Sequence, residues 1–138
     1  MTAIYVATAV FTSAGREGHV ETSDGRISLD LAQPKELGGS GAGSNPEQLV
    51  AMGYAACFSE ALSAVARERR ITLSAVEVTC NVDLDWSHEA FSLGFNILVR
   101  LPGMAAHEAD SLVADAHALC RCSRAFTHGA PTYARAVA

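Results

Sequence analysis

Asn45-Pro-Glu-Gln-Leu-Val-Ala-Met-Gly-Tyr-Ala-Ala-Cys-Phe-Ser-Glu-Ala-Leu-Ser-Ala-Val-Ala-Arg-Glu-Arg-Arg70 is the stretch on which the fold turns. It opens as a helix should: Asn45 caps, Pro46 suits the first helical position, and Glu47 meets the positive end of the helix dipole. Leu49, Met52, Ala56, Leu62, Val65 and Ala66 give apolar cover on more than one side, so the middle is expected to be buried. Arg67-Glu-Arg-Arg70 marks the solvated end. Cys57 falls in the buried middle, inside Gly53-Tyr-Ala-Ala-Cys-Phe58, where small residues let another element approach closely.

Working outward, residues 34–46 are rich in glycine and bounded by two prolines, which excludes a strand or helix interior. Upstream, residues 3–12 are β-branched and aromatic and predict a strand, followed by a turn at Ser13-Ala-Gly-Arg-Glu-Gly18. Segments 19–22 and 26–31 flank Ser23-Asp-Gly25, where the Asp-Gly pair suits a hairpin. Downstream, Val76, Val78, Cys80, Val82 and Leu84 alternate with polar residues at the period of a half-buried strand. Residues 91–101 predict its neighbour, stopped by Pro102-Gly103. A second helix carries Ala109, Leu112, Val113, Ala116, Leu119 and Cys120 on one stripe, and a last strand is expected over 132–137. The order of elements predicts a single α+β domain over residues 1–138, with mostly antiparallel sheet and two principal helices.

With 138 residues, 49% of them hydrophobic, the chain has material for one core. A net charge of −5 and no basic run beyond Arg67, Arg69 and Arg70 speak against nucleic acid as a partner. The first residues lack the basic and apolar regions of a secretory signal, and no run reaches the ~18 apolar residues of a membrane span. The expectation is a cytoplasmic protein with no membrane partner. Its four cysteines should then be thiols unless they serve redox chemistry.

Cys57 reads either as a core residue or as a nucleophile, and the second reading needs a cation, since an ordinary thiol with a pKa of roughly 8.5 is mostly protonated at neutral pH. Arg16, between two glycines that let the chain fold tightly, is the leading candidate; Lys35, Arg121 and Arg124 are others. Glu47 has a plain reading as a dipole-matching carboxylate. His117, Cys120 and Cys122 admit three readings: a metal site short of its fourth ligand, two inert thiols, or a resolving thiol for Cys57. Cys80 belongs to the core face of its strand. The run Gly38-Gly-Ser-Gly-Ala-Gly43 lacks the lysine of a phosphate loop.

Taken together, Ala14-Gly-Arg-Glu-Gly18, Pro34-Lys-Glu-Leu-Gly-Gly39, Asn45-Pro-Glu-Gln-Leu49, Gly53-Tyr-Ala-Ala-Cys-Phe58, Leu101-Pro-Gly103 and Ala116-His-Ala-Leu-Cys120 resemble the organic hydroperoxide resistance (Ohr) family of the OsmC superfamily. The resemblance runs over nearly the whole chain. It implies an intertwined homodimer that reduces alkyl and fatty acid hydroperoxides, with Cys57 as the peroxidatic and Cys120 as the resolving cysteine. Arg16 would hold the thiolate and Glu47 would fix Arg16. No cofactor or metal is implied, and the electron donor would be dihydrolipoamide or a lipoylated protein. A non-enzymatic redox-sensing or fatty-acid-binding module on the same fold is the alternative.

Two features stand apart from this pattern. Glu47 and Cys57 are about 15 Å apart along one straight helix, so either the helix breaks or a second chain completes the site. After Cys120 the family usually continues Pro-Tyr-Ser-Asn, whereas this chain has Arg121-Cys-Ser-Arg124, making Cys122 a rival resolving thiol. Phe58, Phe91, Phe95 and Met104 are candidates for an alkyl pocket or simply for the core.

Overall fold

The computed structural model describes residues 2–13 and 17–138. Its contacts cluster into two compact units, Met1–Leu49 and Val50–Ala138.

In the first unit, β1 (Ala9–Ser13), β2 (Gly18–Thr22) and β3 (Ser28–Leu31) form an antiparallel meander in that order. The hairpin falls where Asp24-Gly25 predicts it. Gly25 takes a φ of 71°, and the Asp24 side chain accepts from Thr22 Oγ1 at 2.6 Å and from the Arg26 backbone N–H at 3.1 Å. The first strand is shorter than expected: pairing begins at Ala9, and Ile4, Tyr5 and Val6 lie exposed without a ladder partner. A strand-like composition gives no strand where no neighbouring edge accepts its hydrogen bonds.

The glycine segment carries a short 3-10 turn over Lys35–Leu37 and then folds back on itself. Gly39 is required there, because a Cβ would sit 2.2 Å from the Gln33 carbonyl oxygen. Asn45 then caps the main helix as predicted. Its Oδ1 accepts from the Gln48 N–H at 2.9 Å while Gln48 Oε1 accepts from the Asn45 N–H at 3.1 Å, a reciprocal capping box.

α1 (Pro46–Glu68) is one unbroken helix, so of the two routes expected for joining Glu47 to Cys57 the helix break is ruled out. It ends at Arg70, which has a φ of 59°, with the Ile71 N–H bonding back to the Ala66 carbonyl at 2.8 Å. By length and composition α1 is apolar enough to cross a membrane, against the expectation that no such stretch exists. That expectation counted uninterrupted apolar residues, and Ser59, Glu60 and Ser63 interrupt them. Tyr54, Cys57, Phe58, Ala61, Leu62, Val65 and Ala66 are buried in protein.

In the second unit, β4 (Glu77–Ser87) and β5 (Ala90–Arg100) form a long antiparallel hairpin. The turn is tighter than the predicted loop. Only His88 and Glu89 separate the strands, both at positive φ (51° and 62°), as a two-residue turn matched to strand twist requires. Val78 opposite Val99, Cys80 opposite Ile97 and Val82 opposite Phe95 share one face. Val78, Cys80, Phe95, Ile97 and Val99 pack on the core built from α1 with Leu112, Ala116 and Cys120.

The expected second helix is α2 (Ala106–Leu119), which stops at Cys120; a further helix that the sequence reading did not foresee, α3 (Arg121–His128), starts immediately after it. Cys120 has a ψ of 121°, outside the helical region, which turns the chain without a proline. The strand expected over 132–137 does not form. That segment has no ladder partner, and Tyr133 and Val137 are exposed.

Candidate active site

α1 carries Cys57 into the core at the level where α2 ends, and the α2–α3 break delivers Cys120 to the same place. The two sulfurs stand 3.6 Å apart, at 6% and 1% residue exposure. Both are thiols. Of the pairings the sequence left open, the structure brings this one to contact distance.

Cys120 occupies the N-cap position of α3. Its carbonyl accepts from the Arg124 N–H at 3.0 Å, the first bond of the new helix. Burial works against ionisation of its thiol. The backbone N–H and hydroxyl of Ser123, the Cys57 thiol and the Cys122 N–H outweigh it, so Cys120 titrates below an ordinary thiol. A helix N-terminus supplies unpaired N–H groups that favour negative charge nearby.

Ser123 is a residue that sequence reasoning missed. It is 1% exposed, and its hydroxyl lies 2.8 Å from Tyr54 Oη and 3.0 Å from His117 Nδ1. Burial, only partly offset by that Ser123 contact, raises the Tyr54 phenol above its ordinary value, so the phenol keeps its proton to donate. A hydroxyl donates once and accepts twice. The Ser123 hydroxyl thus bridges Tyr54 Oη and His117 Nδ1 beside Cys120. The signal was present in the second helix's heptad spacing, where a serine one turn after Cys120 continues the buried stripe, but a lone serine carries no mark of what it binds.

Cys122, in the first turn of α3, packs against the core cluster that holds Cys57 and Cys120. Burial, the hydrogen bond to Cys57 and the charges of Cys57 and Cys120 push its thiol up to about 12, against the opposing pull of Arg121. It is partly exposed, unlike the other two. Cys80 is raised by burial alone, in keeping with its place on the core face of β4.

The charged candidates divide. Arg16 lies outside the described residues. Glu47 sits in the first turn of α1, half-buried. Glu60 does not face the sulfur; its Oε2 accepts from Arg121 Nη2 at 2.7 Å, and both side chains are largely exposed. Arg121 in turn feels the charge of Cys57. His117, considered above as a metal ligand, is committed to Ser123 through Nδ1.

The aromatic candidates also separate. Phe58 is core, 1% exposed. Phe95 stacks on Phe126 at 4.4 Å between ring centroids, with Tyr54 edge-on at 5.6 Å. Phe91 pairs with Trp86 at the exposed tip of the β4–β5 hairpin. Met104 lines a cavity of about 320 Å³ with Ile71, Leu73 and Leu101, which none of the cysteines borders.

Comparison with known proteins agrees with this arrangement. Residues 38–134 match the family model described as OsmC-like protein. The chain is 42% identical over 129 residues to the organic hydroperoxide resistance protein OhrA of Bacillus subtilis, covering 88% of each chain. It is 38% identical over 128 residues to organic hydroperoxide resistance protein-like 2 of Staphylococcus epidermidis, covering 91% of this chain and 90% of that one. Among solved structures, an organic hydroperoxide resistance protein OsmC from Legionella pneumophila superposes with a TM-score of 0.86 at 44% identity, covering 93% of both chains. The chain therefore belongs to the OsmC-like family, in its organic hydroperoxide resistance branch.

Proposed function

We propose that this chain is a thiol-dependent peroxidase that reduces organic hydroperoxides to alcohols. The observation that carries the reading is the 3.6 Å approach of the Cys57 and Cys120 sulfurs inside a closed core. The Cys57 thiolate attacks the terminal peroxide oxygen. The O–O bond breaks, the alkoxide leaves as the alcohol after taking a proton, and Cys57 becomes a sulfenic acid. Cys120 then attacks the Cys57 sulfur, water departs, and a disulfide closes before a second peroxide arrives. A dithiol of the dihydrolipoamide type, free or on a lipoylated protein, returns two electrons by two exchanges.

Arg16 and Glu47 are proposed as the cation that holds the Cys57 thiolate and the carboxylate that fixes it. A guanidinium stays charged at working pH and offers one edge to a carboxylate and another N–H to sulfur. Because α1 is unbroken, a second copy of the chain is the proposed source of the missing groups. Exposed apolar residues support the pairing, among them Ile4, Val10, Phe11, Leu93 and Tyr133.

The test is multiple-turnover consumption of cumene or lipid hydroperoxide against hydrogen peroxide, with dihydrolipoamide as donor. Organic peroxide should be preferred, and Cys57→Ser should abolish turnover. Binding of fatty acid without peroxide consumption would instead assign a carrier or sensor role.

A further inference from the structure

The disulfide proposed above would be sealed in: its two residues are 6% and 1% exposed, and an external dithiol must reach one of them to reduce it. Cys122, in the first turn of α3, packs against the core cluster that holds both of these cysteines and is partly exposed where they are buried.

Resting on the peroxidase reading, we propose that Cys122 is a third redox thiol, which takes the disulfide over from Cys120 and presents it to the external dithiol. Cys122 attacks the Cys57 sulfur of the Cys57–Cys120 disulfide. The Cys57–Cys122 bond forms, the Cys57–Cys120 bond breaks, and Cys120 leaves as a thiolate while the Cys122 proton passes to solvent. Nothing is oxidised or reduced in this step. The dithiol then attacks the Cys122 sulfur, Cys57 leaves, and the second dithiol sulfur closes its own ring to free Cys122.

Two aspects of the geometry favour the exchange. Cys120 is a good leaving group, because the donors at the start of α3 stabilise its thiolate and a lower leaving-thiol pKa speeds departure. Cys122 is also placed for the exchange: it stands two residues from Cys120 at the start of α3 and is partly exposed, so a dithiol reaches it without opening the core.

The sequence makes the test direct, since Arg121 separates the two cysteines and trypsin yields peptides 36–67, 101–121 and 122–124 for Cys57, Cys120 and Cys122. The full-length protein is treated with one equivalent of cumene hydroperoxide, acid-quenched, alkylated and mapped without reduction. Peptide 36–67 should be found linked to both of the others. Cys122→Ser should form only the Cys57–Cys120 link, and reduction of that link by dihydrolipoamide should be slowed by about fivefold or more. Cys120→Ser should still resolve through Cys122, whereas Cys120→Ser/Cys122→Ser should over-oxidise Cys57. Absence of the 36–67 to 122–124 link, with wild-type reduction of the Cys122→Ser disulfide, overturns the relay. Failure of peroxide to oxidise Cys57 in the double variant instead overturns the peroxidase reading, and the relay with it.

Discussion

Ser123→Ala removes one oxygen and tests the polar arrangement behind the thiols. Two groups lose their hydrogen-bond partner, the Tyr54 phenol at 2.8 Å and His117 Nδ1 at 3.0 Å. They are not equivalent. His117 is exposed and recovers its bond from water, whereas Tyr54 is 4% exposed and does not. A buried donor left unmade costs about 1–3 kcal/mol. For a chain of this length each kcal/mol lowers the melting temperature by roughly 3–4 °C, so a fall of about 3–12 °C is expected in calorimetry. Tyr54→Phe in the same background should restore part of the loss, because it removes the orphaned hydroxyl, and the double-mutant cycle should show coupling of about 1 kcal/mol. A second readout is independent of stability. The Cys120 thiolate loses the Ser123 hydroxyl donor, so its titration, followed by absorbance at 240 nm, should move to higher pH. A variant that melts within 1 °C of wild type and leaves the thiolate titration in place would refute the assigned hydrogen-bond pattern.

Other outcomes follow from the same geometry. Leu62→Ala and Leu112→Ala, both at 0% exposure, should each cost about 2–5 kcal/mol in urea unfolding. Glu60→Gln should change stability by less than about 1 kcal/mol, since its partner Arg121 is 74% exposed and the pair is screened by solvent. The pH dependence has a sign: Cys120 is depressed in the folded chain, so its contribution to stability is present above the unfolded thiol pKa and is lost as pH falls through its folded value. Cys80 and Cys122 are raised and act oppositely, their contributions fading as pH climbs past the unfolded thiol range. Cys120→Ser should therefore steepen the loss of stability on the alkaline side. Gly39→Ala should destabilise the segment before α1, because the added methyl meets the Gln33 carbonyl, and hydrogen exchange over 33–44 should rise.

Local rules carried most of the fold. The capping residues Asn45 and Gln48, the Asp24-Gly25 turn and the alternation through Cys80 each act within a few residues, and each produced the element it predicts. The misreadings are of another kind. Residues 3–8 and 132–137 have strand composition, but a strand exists only when another edge accepts its hydrogen bonds, which composition does not specify. The break at Cys120 was hidden because its apolar spacing continues the α2 stripe; what ends the helix is a single backbone torsion. For the site, the sequence pointed to Cys57 and Cys120, and the structure brings their sulfurs together, yet it gave no sign that the α3 N-terminus is aimed at one of them. That information lies in the direction of N–H groups, which only folded backbone possesses.

The two central thiols are therefore not alike, and the difference has a chemical meaning. Cys120 stands at the N-terminus of α3, where the N–H groups of Ser123 and Cys122 favour its thiolate, while Cys57 lies in the middle of α1. A resolving sulfur so placed reacts as an ionised nucleophile with a sulfenic acid and later departs readily when the disulfide is exchanged, so one set of N–H groups assists both closing and opening. Such donors would serve a peroxidatic sulfur less well, because fixed N–H groups aimed at the sulfur do nothing for the charge that develops on the departing peroxide oxygen. A guanidinium can contact both, holding the thiolate with one N–H and the leaving oxygen with another. The division of labour that follows is helix-terminal amides for Cys120 and an arginine for Cys57. It predicts different salt and substitution responses: Arg16→Lys should slow peroxide attack while leaving disulfide closure intact, and stopped-flow separation of the two phases would measure both. Slowing of closure alone would place Arg16 on the wrong sulfur.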